Sequence, residues 1–432
     1  MAAAKIPAVK GTRDVLPTDT YLKKDDPWIR IGHLHLIEQA AREVFPLYGY
    51  REARTPVLER TALFSRGIGE VTDIVAKEMY TFEDRDGTQV SMRPEGTASL
   101  VRAYVEHAVS QQEPDTKWWT TGPMFRHERQ QRGRYRQFTQ IDVEAFGSQG
   151  PRIDAEQIEL LHRWLTVLGI PFAMHINSLG DANCRPQYRA ALQEYLRAHA
   201  GELCEECKRR IETNPIRVLD CKNPQCQAVA AGAPPLKYCG PCQQHFDGLR
   251  ASLDRLKVGY LVDPKLVRGL DYYTRTTYEA IATEGLGAQS TVAGGGRYDG
   301  LVRELGGGDT PGIGFAAGVE RLALLVSQAG REAKVGPALF IAPLGEAEEQ
   351  RADELAQALR AAGLAAEVSF RKSSPGNQMK RADALGARYA LVLGEQELQT
   401  DRARLKELKT GVQHEVALSG LVAALKKLLE NQ

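Results

Sequence analysis

Residues 28 to 48 carry Leu34, Ile37, Ala41, Val44 and Tyr48 at alternating steps of three and four. That spacing stacks apolar side chains on one face of a helix, and Gly49 is placed to end it. Arg51 to Leu58 reads as a short strand whose Pro56 suits an edge or an interface. Trp118 to Arg126 and Arg136 to Phe146 read as two strands joined by a very basic loop. Asp154 to Leu168 reads as a helix with Asp154 as its N-cap.

The pattern changes after Gly169. Residues 171–261 contain all seven cysteines in a Pro- and Cys-rich middle flanked by helical stretches, which predicts an inserted domain. Thr276 to Ile281 returns to strand text. Glycine clusters follow at 294–296, where a tight turn into a helix is expected, and at 306–308. A helix from about Gly318 to Val326 closes this part, and residues 331–337 read as a linker. Beyond it come a strand (Ala338 to Ala342), a helix (Glu346 to Ala362), a strand (Val368 to Phe370), a helix (Gln378 to Leu385) and a strand (Tyr389 to Leu393). Such alternation predicts a small α/β domain with a largely parallel sheet. The expected division is therefore 1–170 with 262–330, an insertion at 171–261, and a last domain at 334–432.

Composition narrows the function classes. With 432 residues, about three domains of ~150 residues is the prior. Basic and acidic residues number 56 and 55, a net charge of +1, which speaks against a general nucleic-acid binder; any such contact must come from local patches. No apolar run approaches the ~18 residues of a membrane helix, and the start, MAAAKIPAVKGTRDVLP, lacks the apolar core of a secretory signal. A cytoplasmic protein without membrane contact is expected. An odd number of cysteines, four of them in two C-x-x-C pairs, suits reduced thiols or metal rather than structural disulfides. Cys204, Cys207, Cys239 and Cys242 have the local spacing of a zinc ribbon, and four thiolates would close one tetrahedral site. Yet the pairs lie further apart than the common ~15–20 residues, and with Cys221 and Cys226 the candidate ligands are too many for one ion. Zinc and free thiols both stay open.

Four segments carry candidate chemistry. In GPMFRHERQQRGRYRQFTQIDVEAFG, residues 122–147, Arg126, Arg129, Arg132, Arg134 and Arg136 crowd into eleven positions with Glu128 as the one acid among them. An anion is the natural missing partner. Strand alternation then puts Phe138, Gln140, Asp142, Glu144 and Phe146 on one face, opposite Thr139, Ile141, Val143 and Ala145. The apolar row can anchor the strand, so the polar row must line something wet or ligand-filled. LVRGLDYYTRTTYEA (266–280) joins an arginine, an aspartate and two tyrosines. AGGGRYDGL (293–301) lacks the spacing of a P-loop or a dinucleotide fingerprint. PGIGFAAGVERLALL (311–325) runs from glycine-rich strand into helix, with Glu320 and Arg321 in the first turn, where an arginine could reach a phosphate.

Together these segments resemble a known family. The first and last are similar to motifs 2 and 3 of class II aminoacyl-tRNA synthetases, and RTPVLERTALFSRG, with Pro56, resembles motif 1. LVRGLDYY and AGGGRYDG are similar to the pair that marks histidyl-tRNA synthetases, and SMRPEGTASLVRAY (91–104) belongs to the same text. The resemblance spans nearly the whole chain. It implies an α+β catalytic domain with an antiparallel sheet, an inserted domain and a C-terminal α/β anticodon-binding domain. The implied reaction is activation of L-histidine by ATP, with Mg²⁺, to histidyl-adenylate, followed by transfer to the 3′ end of tRNA(His), in a homodimer.

The resemblance also implies roles. Arg126 and Arg268 would hold the α-phosphate, Glu128 would place the adenosine end, and Arg321 would bind the γ-phosphate. Glu95 and Thr97, with Gly96 between them, and Gln140 would take the ammonium group of histidine. Glu144 and Tyr273 would read the imidazole, with Tyr272 and Tyr298 shaping the pocket. A site that pairs both ring nitrogens rejects other amino acids by ~10⁴-fold or more without editing. Arg129, Gln131 and Arg132 would meet the tRNA acceptor end, and Arg371, Lys372, Lys380 and Arg381 the anticodon. The main rival is a related regulatory subunit that senses histidine without catalysis; a third reading is a class II synthetase for proline or threonine. Arg126, Arg268 and Arg321 together with a C-terminal α/β domain favour the enzyme, and the LVRGLDYY and AGGGRYDG pair favours histidine.

Overall fold

The computed structural model of the chain describes residues 5–17, 29–69, 72, 74–128, 133–267, 272–286, 290–333 and 336–430. Its contacts divide into two compact units, Met1–Asp14 with His33–Arg331 and Val15–Gly32 with Glu332–Gln432. The first apolar stripe forms the helix Ile31–Val44, tightened at its end into the turn Phe45–Tyr48. Gly49 stops it at φ 80°, donating its N–H back to the Phe45 and Pro46 carbonyls, a conformation that favours glycine.

The expected strand around Pro56 is two strands, since proline cannot donate to a ladder. They are β1 (Arg51–Glu52) and β2 (Leu58–Arg60), and β3 (Tyr80–Glu83) and β4 (Gln89–Met92) follow. Then come β5 (Thr116–Phe125), β6 (Gln137–Phe146), β7 (Phe172–Ser178), β8 (Leu261–Val262), β9 (Thr274–Ala282), β10 (Thr291–Arg297) and β11 (Gly312–Gly318). A small sheet runs β2-β4-β3; the large one runs β1-β5-β6-β11-β10-β9-β7-β8. Every pairing in the large sheet is antiparallel except β1 with β5 and β7 with β8 at its edges. This is the expected α+β catalytic architecture. Phe45 packs edge-on against Trp119, Trp164 and Phe315 with ring centroids 5.4, 5.2 and 6.4 Å away, each such pair contributing about 0.5–1.5 kcal/mol beyond its buried area.

Three local expectations are corrected. The segment 171–261 opens with β7, which pairs with β9 in the large sheet, and ends with β8 beside β7. Only the helices between them build a core of their own, around Leu192, Leu196, Ile211 and Val218. Glycines 294–296 form no turn: they lie within β10 and none has a positive φ. A Cβ on Gly295 would come within 2.7 Å of the Phe315 Cα, and one on Gly296 within 2.6 Å of the Thr276 carbonyl oxygen, so bare backbone is what lets three strands pass this closely. Finally, the helix expected from Asp154 begins earlier, at Pro151 behind Gly150, and Asp154 is buried inside its first turn.

The second unit contains β12 (Leu339–Pro343), β13 (Ala366–Val368), β14 (Tyr389–Leu393), β15 (Arg402–Glu407) and β16 (Gln413–Ala417), in the order β13-β12-β14-β15-β16. Its sheet is only half parallel: β12 pairs in parallel with β13 and β14, while β14–β15 and β15–β16 are antiparallel. Among the described residues no helix is long and apolar enough to cross a membrane.

Candidate active site

β6 lies between β5 and β11 in the large sheet, and its alternation brings Gln140, Asp142 and Glu144 to one face as expected. Asp142 and Glu144 are 0 % exposed, so neither belongs to a solvated strand face. The Glu144 carboxylate accepts from the Thr97 hydroxyl at 2.6 Å and from the Tyr298 hydroxyl. Glycine shapes both sides of that contact: Gly314, paired with Glu144 in register, has no room for a Cβ beneath the carboxylate, and Gly312 has none beneath the Tyr298 ring. Burial pushes the Glu144 carboxyl well above the usual carboxylate range, against the two hydroxyl bonds that favour its charged form. Tyr272 stands with ring centroids 4.7 Å from Tyr273 and 5.6 Å from Tyr298, completing a buried aromatic wall.

Glu95 sits at the start of the helix Thr97–Glu106, where its oxygens accept from the Thr97 and Ala98 N–H groups at 3.1 and 2.8 Å. Its side chain thus meets N–H groups that the first turn of the helix leaves unpaired, and burial pushes the carboxyl above its ordinary range. Gly96 packs directly against Asp142, with the aspartate Oδ2 only 2.5 Å from where a Cβ would stand. Asp142 was absent from the sequence-derived site, although alternation placed it in the same row. Burial, then the Glu95 charge, push its carboxyl up to about 8, against Arg93 and Arg126. Neither Asp142 oxygen, nor Gln140 Oε1, makes a well-aligned hydrogen bond among the described residues. Buried acceptors left so cost about 1–3 kcal/mol each, which marks a place for a donor-rich ligand.

Beside this row opens a cavity of about 780 Å³, lined by Arg126, Glu128, Phe138, Gln140, Glu279 and Arg321, among others. Arg126 is oriented by its Nε–H to the Pro94 carbonyl (2.9 Å) and by the Phe138 ring, 5.2 Å from its guanidinium carbon. Arg321, in the first turn of Val319–Gln328, donates to the Thr291 carbonyl at 2.5 Å, and burial lowers its affinity for its proton. Its neighbour Glu320 accepts from the Thr139 N–H at 2.7 Å and is pushed up to about 7 by burial. Glu128 is held by Arg134 at 3.1 Å. The structure thus brings together Arg126, Glu128, Gln140 and Arg321 around one cavity, with Thr97, Glu144 and Tyr298 bonded to one another. Arg268 lies outside the described residues, as do Arg129, Gln131 and Arg132, although Leu266 and Val267 line the same cavity.

Two groupings went unforeseen. Arg297, expected only as part of a glycine-rich turn, is buried and paired with Asp154, which also accepts from Thr276 at 2.6 Å and meets His245 at 2.8 Å. This network fixes the chain immediately before Tyr298. The two C-x-x-C pairs, whose sharing of one site the sequence left open, fall into separate clusters: Cys204 and Cys207 with Cys221 and Cys226, and Cys239 and Cys242 with Asp181 and Cys184. In the second unit Arg371, Lys372 and Lys380 are exposed, while Arg381 faces Glu367 at 3.4 Å.

Comparison with known proteins gives the same outline. A family model described as histidyl-tRNA synthetase matches residues 30–322, and one described as anticodon binding domain matches residues 338–428. A histidine–tRNA ligase of Anaeromyxobacter dehalogenans is 52 % identical over 422 residues, 97 % of this chain and 99 % of the relative. One from Syntrophotalea carbinolica is 46 % identical over 97 % of this chain and 98 % of its own length. Among solved structures, apo histidyl-tRNA synthetase of S. aureus superposes with a TM-score of 0.76 at 34 % identity, covering 98 % of this chain and 100 % of that one.

Proposed function

Because the chain belongs to the histidyl-tRNA synthetase family and is a histidine–tRNA ligase, we propose that ATP occupies the cavity beside β6 and that histidine binds in the adjoining Glu144 pocket. The observation that carries this is the convergence of Arg126 and Arg321, 195 positions apart in sequence, on one cavity that also meets Gln140. Attack of the histidine carboxylate on the α-phosphate brings two anions together, so the barrier is one of repulsion and positioning. Arg126, already braced by Pro94 and Phe138, takes the α-phosphate with Arg268; Arg321 takes the γ-phosphate; Glu128 places the adenosine end. Guanidinium groups suit this because they stay charged and grip phosphate oxygens in a fork. Glu128 and Glu279 give the cavity the oxygen donors that Mg²⁺ prefers, so the ion fits there, offsetting the charge of the pyrophosphate portion.

On the histidine side, Glu144 and Tyr273 read the imidazole, with Tyr272 and Tyr298 as walls. Gln140 and Thr97 take the ammonium group, and the unpaired acceptors of Asp142 add to them. Glu95 contributes charge, its oxygens being engaged at the helix start. Residues 1–170 and 262–330, with the strands β7 and β8, then form the catalytic domain, the helices between those two strands the insertion, and 334–432 the anticodon domain. There Phe370, 78 % exposed beside Arg371 and Lys372, offers a stacking face next to positive charge, and Lys380 and Arg381 extend the basic surface. Arg129, Gln131 and Arg132 meet the acceptor end of tRNA(His). The chain works in the cytoplasm as a homodimer, and the exposed Leu58 and Phe82 of the small sheet suit its interface. ATP–pyrophosphate exchange with histidine tests the whole reading: it should proceed, and Glu144→Ala should abolish it in a folded protein. Normal exchange in that variant refutes the assignment. The rival reading as a non-catalytic regulatory subunit gains no support from relatives that are full-length ligases.

A further inference from the structure

We propose that the insertion carries two separate structural zinc ions, one held by Cys204, Cys207, Cys221 and Cys226, the other by Asp181, Cys184, Cys239 and Cys242. In each group the four ligand atoms all lie within 4.8 Å of one another. All seven cysteines are consumed, and no disulfide is formed among them.

The distances fit tetrahedra. Zn–S bonds of ~2.3 Å at tetrahedral angles separate two sulfurs by about 3.8 Å, and a sulfur and a carboxylate oxygen by about 3.5 Å. Cys184 Sγ lies 3.7 Å from Cys239 Sγ and 3.6 Å from Cys242 Sγ, and Cys204 Sγ lies 4.0 Å from Cys221 Sγ. Asp181 Oδ1 lies 3.5 Å from Cys184 Sγ and 3.7 Å from Cys239 Sγ. A disulfide would need ~2.05 Å, and thiols packed merely as small apolar groups would not draw a carboxylate oxygen among them.

The surroundings are those of bound thiolates. The Cys204 N–H donates to Cys226 Sγ at 3.2 Å, and the Asp181 N–H to Cys184 Sγ at 3.4 Å. Gly180, at φ 66°, leaves the space a Cβ would take 2.8 Å from Cys184 Sγ. Arg275 reaches the other oxygen, Asp181 Oδ2, at 3.4 Å, which turns Oδ1 toward the sulfurs. Four thiolates at one site, and three with a carboxylate at the other, suit zinc, and each closed set of four leaves no position for a substrate, so both sites are structural.

Their tasks differ. The four-cysteine site gathers the short helices Glu205–Thr213 and Pro224–Ala231 around a small core. The second site ties the end of β7 to the start of the helix Gly240–Arg255 and, through Arg275, to β9 just beyond Tyr273. It fastens the insertion to the wall of the proposed histidine pocket.

Metal analysis of the full-length protein, purified without chelator, tests this. Two zinc equivalents per chain are expected. Cys221→Ser and Asp181→Ala should each leave one, and the combined variant none. Because such variants can misfold, the unaltered protein is also titrated with an organomercurial, which should release two equivalents as the thiols react. Exchange with cobalt(II) should give a thiolate charge-transfer band that saturates at two equivalents. Less than half an equivalent of zinc, iron in its place, or one equivalent lost alike from both single variants would overturn the assignment. One equivalent that survives Asp181→Ala but not Cys221→Ser in the otherwise unaltered protein would overturn the second site.

Discussion

Tyr298 donates a hydrogen bond to Glu144 across 154 residues of chain, and both side chains are buried. Tyr298→Phe removes that donor without emptying the ring's place. Leaving a buried acceptor without its donor costs about 1–3 kcal/mol. The expected outcome is a rise in the histidine KM of roughly tenfold or more, with the ATP KM unchanged, read by pyrophosphate exchange. Equal changes in both constants would mean that the pocket had collapsed rather than lost one contact.

Asp142 makes a pH prediction. Its carboxyl is pushed up to about 8 in the folded chain, against an ordinary value of 3.8. Between those values the folded state holds a proton that the unfolded state has released, so this group's contribution to stability falls as pH rises from about 4 to 8. Asp142→Asn escapes that loss. Its melting temperature should exceed that of the unaltered protein by more at pH 8 than at pH 5, while its histidine KM rises. A difference independent of pH would contradict the burial argument.

Arg321→Ala should lower the exchange rate by about 10²–10³-fold, the usual cost of deleting one fixed donor to a developing charge. Arg126→Ala should do the same, and Arg126→Lys should recover little, because an ammonium group cannot reproduce the fork. Kinetics with ATP varied at saturating histidine would show it, and unaltered kinetics in either alanine variant would remove that arginine from the nucleotide site.

The pair Asp154 and Arg297 predicts a stability effect. Burial alone would push the Asp154 carboxyl up, but the Arg297 charge and the His245 bond outweigh it and hold it below the ordinary range. Its contribution is therefore present at neutral pH and lost as pH falls through that lowered value. Arg297→Met strands a buried carboxylate and should cost about 3–5 kcal/mol, whereas Asp154→Asn with Arg297→Met should cost less. Thermal melts of the unaltered protein, of both single variants and of the double variant provide the comparison, and additive losses would argue against a coupled pair.

Where local rules governed, the sequence was readable. Tyr389–Leu393 forms the strand expected, and the alternation in β6 selected the row that lines the site. Where partners are remote, it was not. Asp154 looked like a helix cap because acids favour that place, but its partner Arg297 stands 143 residues away. The glycines of β10 suggested a turn because their reason, the closeness of neighbouring strands, appears only in three dimensions. The C-x-x-C pairs suggested one site because Cys184 and Asp181, which complete the second cluster, share no local motif with Cys239 and Cys242. The hairpin β15–β16 escaped notice because Arg402, Arg404 and Lys406 alternate with Ala403 and Leu405 over too short a stretch.

Thr97 and Tyr298 already satisfy both oxygens of Glu144 through hydroxyls that turn about single bonds. Each of those oxygens keeps a second lone pair, so an imidazole N–H can join at that carboxylate while both hydroxyls stay in place, with no backbone hinge. The two hydroxyls therefore hold the carboxylate still on a floor of glycine, and an amino acid that brings no ring N–H leaves that second lone pair unused.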